Sequence, residues 1–563
     1  MSADRMSPLD ATFLHAEDRV SHMHIGSVGI LEGPPPAHDD MLAMVERKLH
    51  LIPRYRQIVR FVPFQLGRPV WVDDPEFDIS YHIRRTALPE GGGDDQLRNL
   101  VGRVMAQQLD RTKPLWEIWL VENLENDHWA LLSKVHHCMV DGVSGAELLS
   151  VVLDIFEEPP PTPEPPPWIP QPSPSSAGLA AEAVVDLVRS PYEQVRAIRA
   201  SLRVPRRAAH AAVEVAKGLA SVATVAVPPP QSSLNGTIGP NRRYDWTETS
   251  VANIKKVRRG LGGTFNDVVL AAIAGGFRRL LIERAEPVDR VIRSLVPVSV
   301  RPRDESGRAI GDGTQDNQVA AMFAELPVEV ADPVDRLRLV SAQMADLKES
   351  NQAVAAEALV SVSAFAPPML LALGLRAATK APQRAVNTVT TNVPGPQLPL
   401  YVLGRKLLHA YPYVPVAGRI RIGIAIFSYD GKVSFGITGD YDSTPDLHEM
   451  VAGIEASMEE MLDAAAAAEL ATADPGTEAK APRAAERRAT KAKAKPKARA
   501  KAKPSPAADP EPVGARPKRS PVRSDLADAS SSPKRRTTSG RRSNGSGSSG
   551  RRSGNGQRPA STS

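Results

Sequence analysis

Apolar positions alternate along this chain between short extended runs and stripes of helical period, from the N-terminus to about residue 470. Gly26 to Leu31 is strand-like, and Asp40 to Leu51 carries a helical stripe. Phe77 to Arg85 reads as a short strand, and Gln96 to Leu109 as a helix. Leu115 to Val121 and Trp129 to Val135 read as the two arms of a hairpin, followed by a helix over about Ser144 to Ile155. In the second half, Thr264-Phe265-Asn266-Asp267 opens a helix that runs to about Arg284, and Arg293 to Val300 is a strand. Asp430-Gly431 between Ile422–Tyr429 and Lys432–Thr438 is a hairpin signal. A last helix covers about Asp446 to Leu470. Mixed elements in this order predict an α/β fold in more than one domain.

Two stretches break the pattern. Glu157 to Pro174 is dominated by proline and is read as a semi-rigid surface crossover. After it, Ser190-Pro191-Tyr192-Glu193 has the cap, proline and acid of a helix start. Val195, Ile198 and Leu202 then share a face among several arginines. That segment is either a helix packed on the body or a basic amphipathic helix on an anionic membrane. From Ala471 onward the chain is Lys/Ala/Pro and then Ser/Gly/Arg, too poor in apolar residues to build a core, and is read as disordered.

Charge sharpens this division. Residues 471–563 hold 23 Lys/Arg against 7 Asp/Glu, a net of +16, while the rest holds 47 against 57, a net of −10. An acidic body thus carries a basic tail, suited to nucleic acid or anionic lipid, or simply to solubility. One cysteine excludes an internal disulfide framework and fits a reducing compartment. The first residues lack a signal-peptide pattern, which predicts a cytoplasmic protein. The uncharged stretch Ala358 to Leu375 contains Pro367-Pro368 and is read as buried or interfacial, not spanning.

The chemistry concentrates in His136-His137-Cys138-Met139-Val140-Asp141-Gly142, at the end of the second hairpin arm. Neighbouring residues of an extended segment face opposite ways, so one histidine of the pair can serve a given cleft. That makes the pair a poor metal site, and no metal or bound cofactor is expected. A neutral imidazole can accept a proton near neutral pH. His137 is taken as the general base, with His136 as support behind it. Asp141 is read as an orienting residue and Gly142 as a turn. Cys138 reads as a small apolar filler. No Gly-x-Ser-x-Gly elbow, phosphate loop or dinucleotide fingerprint is present in the sequence.

His-His-x-x-x-Asp-Gly resembles the signature of coenzyme A-dependent acyltransferases. Further motifs follow in order: Ser7-Pro8-Leu9-Asp10, Pro114-Leu115-Trp116-Glu117, Leu234-Asn235-Gly236 with Ile238-Gly239-Pro240, Asn266-Asp267-Val268-Val269-Leu270-Ala271, and Asn392-Val393-Pro394-Gly395-Pro396. Together, over about Met6 to Leu462, they resemble the bacterial wax ester synthase/diacylglycerol acyltransferases. The resemblance implies a two-domain fold like chloramphenicol acetyltransferase, with His137 midway along a tunnel between the halves. The expected division is 1–275, including the crossover 157–240, then 276–465, and a tail 466–563. It implies acyl-CoA as co-substrate, reaching His137 from one side, and diacylglycerol or a long-chain alcohol from the other. Transfer is then direct and makes triacylglycerol for storage, with wax ester synthesis as a side activity. The site would lie at a peripheral membrane or lipid-inclusion surface. Asn266 becomes a candidate oxyanion or acceptor contact, Asp267 a helix cap, and Arg301 a partner for Asp141. Two other readings remain: another hydroxyl acceptor, such as a polyketide or glycolipid, or a non-catalytic lipid-droplet or nucleoid tether.

Overall fold

A computed structural model describes residues 4–139, 152–160, 164–185, 232–299, 319–349 and 386–473. The readings on Ser144 to residue 151, on Ser190 to Leu202, on Ala358 to Leu375 and on the tail from 474 onward lie outside the described residues.

Two six-stranded sheets organise the molecule. The first is built on β2 (His24–Leu31), β5 (Ile83–Gly92), β6 (Trp116–Leu124), β7 (Trp129–His136), β12 (Tyr401–Val402) and β13 (Arg405–Tyr413), in the order β12-β13-β2-β7-β6-β5. The expected hairpin is β6–β7, joined through Glu125–Asp127, where Asn126 and Asp127 take positive φ. β7 is buried at every position, as a central strand covered on both faces requires. Its neighbours hold the register Trp116↔Val135 on one side and His24↔His136 on the other.

The second sheet has β8 (Arg242–Ser250), β9 (Ile292–Ser299), β10 (Val319–Leu326), β11 (Thr388–Pro394), β14 (Ile422–Tyr429) and β15 (Lys432–Asp440), in the order β10-β9-β11-β14-β15-β8. β14 and β15 form the expected hairpin, with Gly431 at φ +79°. The helices Val251–Leu261 (α5), Phe265–Glu283 (α6), Pro333–Glu349 (α7) and Leu447–Ala473 (α8) bury the largest apolar core against this sheet. α6 and α8 approach closely at glycines: a Cβ on Gly453 would lie 2.8 Å from the Cα of Gly276.

The sheets exchange strands between the two halves of the chain. β8 precedes residue 275 yet closes the second sheet beside β15, while β13, far past it, lies beside β2 in the first. The expected boundary at 275 falls inside α6. Two local readings differ from the structure. Phe77 to Arg85 is not one strand, because Asp78 accepts from the Ser80 N–H and starts a short helix, Ile79–His82; the strand begins at Ile83. The helix expected through Ile155 has ended before Asp154, whose backbone bridges to Tyr401.

A smaller sheet, β1 (Asp4–Arg5), β4 (Val70–Asp73) and β3 (Gln57–Arg60), packs near the first helix, α1 (Pro8–Ala16). Ser7 caps that helix by accepting the Asp10 N–H at 3.1 Å, and Pro8 sits at its first turn.

Candidate active site

β7 ends at His136, and His137 opens the turn that follows, with the backbone N–H of both histidines bonded. The His136 N–H donates to the Leu115 carbonyl at 2.9 Å, and the His137 N–H to the Met23 carbonyl at 2.8 Å. Leu115 belongs to the Pro-Leu-Trp-Glu motif. Its neighbour Trp116 is buried, donates its Nε1–H to the Tyr55 carbonyl at 2.9 Å, and stacks on His82 at 4.4 Å. This motif therefore braces the strand that presents the histidines.

The two rings have different surroundings because His136 is the last residue of β7, whereas His137 opens a 3-10 turn, His137–Met139, and does not hold the further extended position that the sequence predicts. His136 is buried, and its Nδ1 accepts the Cys138 N–H at 3.1 Å. That leaves the ring proton on Nε2, which faces Glu17 Oε2 at 3.7 Å. Glu17 is the centre of a buried charge cluster. Its side chain is 1% exposed, and Oε2 accepts from Arg111 at 2.5 and 3.1 Å and from Gln108 at 3.0 Å. His24 Nε2 lies 3.4 Å from Oε1. Burial alone would raise the Glu17 carboxyl, but His136, His24 and Arg111 outweigh it and hold the group well below the usual carboxylate range. His24 is itself pushed down to about 3 by burial, against the pull of Glu17.

His137 is partly exposed, and its ring stacks on Phe13 of α1, with centroids 3.8 Å apart and planes 17° from parallel. Burial of its ring pushes its pKa down to about 4, with His136 adding to the effect. The imidazole is therefore neutral at physiological pH, with a lone pair to offer. Cys138 packs with Met6, Ala11 and Leu14, and burial holds its thiol well above its ordinary pKa, which fits a filler and not a nucleophile.

Asn266 lies on the first turn of α6, where its Oδ1 accepts from Asn392 Nδ2 at 3.2 Å. The Asn-Asp and Asn-Val-Pro-Gly-Pro motifs meet through this bond. Asp267 completes a capping box with Thr264: its Oδ2 accepts the Thr264 N–H at 2.8 Å, and its own N–H donates to Thr264 Oγ1 at 3.3 Å. Among the described residues no hydrogen bond joins Asn266 to His137. Asp141, Gly142 and Arg301 lie outside the described residues. Leu234-Asn235-Gly236 ties the crossover's exit to the second half: Asn235 accepts from Asn387 at 2.7 Å and donates to the Val386 carbonyl at 3.0 Å.

The model of the wax ester synthase/diacylglycerol acyltransferase catalytic domain matches residues 6–269, and that of the WS/DGAT C-terminal domain matches residues 315–462. The chain belongs to the WS/DGAT family. A Mycobacterium tuberculosis H37Rv protein, named as a probable diacylglycerol O-acyltransferase, tgs1, is 36% identical over 463 residues, covering 80% of this chain and 94% of its own. The WS/DGAT structure from Marinobacter aquaeolei VT8 is 25% identical with a TM-score of 0.56, covering 82% of this chain and all of that one. The trichothecene 15-O-acetyltransferase TRI3 of Fusarium sporotrichioides, 12% identical over 82% of this chain and 95% of its own, shares the fold with a TM-score of 0.52. The expected α/β fold of the two-domain CoA-dependent acyltransferases is thus the observed one.

Glu17, His24, Arg111 and Phe13 are not legible as site residues in the sequence of this WS/DGAT chain. Only the opening Ser7-Pro8-Leu9-Asp10 motif hints at them, since it caps the helix that carries Phe13 and leads into Glu17.

The neutral buried histidines carry a stability prediction. The folded chain holds His24 near 3 and His82 and His137 near 4, each lowered chiefly by burial. In the unfolded chain each titrates near its ordinary value of about 6.5. Their contribution is therefore complete above about pH 6.5 and is lost as pH falls toward about 4. Denaturant titrations between pH 7 and 5 should show unfolding free energy falling by up to about 1.4 kcal/mol per pH unit for each histidine. A flat profile across that window would remove this account of the cluster.

Proposed function

We propose that this protein transfers a long-chain fatty acyl group from acyl-CoA to the free hydroxyl of diacylglycerol, forming triacylglycerol and releasing coenzyme A. The observation that carries the reading is a neutral His137 imidazole, at the end of the central strand and under Phe13, in a chain of this family. His137 takes the proton of the acceptor hydroxyl as its oxygen attacks the thioester carbonyl carbon. The tetrahedral intermediate then collapses, the carbon–sulfur bond breaks, and the imidazolium returns its proton to the leaving thiolate. His136 supports the turn that presents His137. Asn266 spends its Oδ1 on Asn392, which leaves its amide N–H groups as donors for an oxyanion or the acceptor. Asp141 and Gly142 keep the orienting and turn roles read from the sequence.

Fatty alcohols, giving wax esters, are proposed as secondary acceptors, from the dual name of the family and of the Marinobacter structure. No described helix is long and apolar enough to cross a membrane. We place the protein peripherally, on the inner membrane face or on lipid inclusions, with its basic tail toward anionic lipid or nucleic acid.

Purified protein given palmitoyl-CoA and, separately, diacylglycerol, a long-chain alcohol and a polyketide alcohol should release coenzyme A. It should form triacylglycerol fastest and wax ester more slowly. Product from the polyketide alone would move the reading to another hydroxyl acceptor. No thiol release with any acceptor would favour a non-catalytic tether.

A further inference from the structure

The chain between β3 and β4 turns through Phe61-Val62-Pro63-Phe64-Gln65-Leu66, six residues without a charge. Val62 points inward and is buried with Val70, Val72, Leu179 and Ala183. Phe64 does the opposite: it is 86% exposed, and Phe61 is 44% exposed. A scattered exposed apolar residue needs no explanation. Here, however, the backbone is held to present one. Phe64 and Gln65 take φ of +56° and +55°, two successive left-handed residues neither of which is glycine, locked by the Gln65 N–H to the Val62 carbonyl and the Leu66 N–H to the Pro63 carbonyl.

The surroundings say what such a tip would meet. From residue 47 to 72 the chain holds six Lys/Arg and no Asp/Glu; Lys48 pairs with Asp154 and Arg54 with Asp4, while Arg60 and Arg68 flank the loop directly. Beside it, Ala183 lies against Gly67, and the next residues, Val184 and Val185, are exposed. A protruding aromatic tip flanked by arginines suits an anionic phospholipid interface, where aromatic rings sit at headgroup depth and basic groups meet the phosphates. It suits a protein partner poorly, since a stable protein interface needs a broad complementary patch.

We propose that the Phe61–Leu66 loop is the lipid-surface contact of this protein, with Phe64 and Phe61 inserted at the phospholipid interface. This rests on the reading that the acceptor is a membrane-dissolved lipid. Its position gives it a role in that reading. Val59, on the strand that leads into the loop, packs in one small core with Trp71, Leu14 and Cys138, and Phe13, which covers His137, packs against the same core. The loop thus brings the lipid phase to the side of the molecule that screens His137.

The test uses the full-length protein and vesicles of phosphatidylcholine with phosphatidylglycerol, at high salt so that the basic tail is screened. Phe61→Ser/Phe64→Ser should weaken vesicle partitioning by ~10-fold or more, the loss expected when two buried aromatic side chains are removed from the interface. Melting temperature and turnover of detergent-dispersed diacylglycerol should stay at wild-type values. Phe64→Trp should show a blue-shifted emission on vesicle addition. Unchanged partitioning of the double variant, or an emission from Phe64→Trp that vesicles do not shift, overturns the proposal. So does a double variant that binds vesicles normally but loses self-association in sedimentation, which would assign the loop to a second copy of the chain. Loop-dependent vesicle binding by a protein that makes no triacylglycerol would uphold this inference while overturning the acceptor reading.

Discussion

Replacing His137 by alanine should lower kcat/KM for acyl transfer by about 10²–10⁴-fold, the range that a positioned general base contributes. The fold should survive. The ring stacks on Phe13, and losing an aromatic stack of that kind costs about 0.5–1.5 kcal/mol. The pH dependence separates the base from a merely structural residue. With its pKa pushed down to about 4, His137 is neutral, and so competent, down to well below the pH at which an ordinary histidine protonates. The acid limb of kcat/KM in the wild type should therefore lie below about pH 6.5 and track the lowered value. His136→Ala should behave differently. It removes the acceptor of the Cys138 N–H and the ring that faces Glu17, so stability falls along with rate. A His137→Ala protein that still releases coenzyme A at near the wild-type rate would remove His137 from the chemistry. An acid limb at the ordinary histidine value would place the titrating group elsewhere.

What the sequence discloses follows the range of the interactions involved. The β6–β7 hairpin, the Thr264–Asp267 cap and the Asp430-Gly431 turn depend on residues close together in the chain, and each is legible from its own few positions. The stretch from Phe77 reads wrongly as one strand because a single side chain, Asp78, bonded to the Ser80 N–H at 2.9 Å, overrides the apolar alternation around it. The strand exchange has no local signature. β13 pairs with β2 through Tyr411↔Val28 and Tyr413↔Gly26, partners more than 380 residues apart, and either strand would alternate equally well in the other sheet. The site divides in the same way. His137 stands out because two histidines, an aspartate and a glycine lie within seven residues. Glu17 does not, because an isolated glutamate after a short helix looks like any solvated acid. Its meaning arises only when β7 brings His136 to it and the segment after α4 (Asp94–Met105) brings Arg111.

That buried carboxylate carries the largest expected effect on stability. Glu17→Ala removes the charge partner of Arg111, an acceptor from Gln108 and the carboxylate that faces the His24 and His136 rings, leaving polar groups facing a cavity. Breaking a buried ion pair from one side typically costs about 3–5 kcal/mol. The lower end is expected here, because Arg111 is 35% exposed and can turn toward water. Glu17→Gln keeps the volume and one acceptor oxygen, so it should cost less. The proton balance tells charge from shape. Glu17 is held well below the usual carboxylate range, so its contribution is complete above the unfolded value of about 4.5 and is lost as pH falls through the folded value. Denaturant midpoints of wild type and Glu17→Gln should therefore differ at pH 7 and converge on acidification below about 4.5. Turnover should report the same residue by another route. Without the carboxylate, the His136 ring loses the charge that fixes its Nε2, and the turn through Cys138 that presents His137 loosens. We expect kcat to fall by ~10-fold or more with KM little changed, the pattern of a displaced base rather than lost substrate binding. Midpoints that stay apart at low pH would make the deficit one of shape alone, and a wild-type kcat in Glu17→Gln would uncouple the cluster from His137.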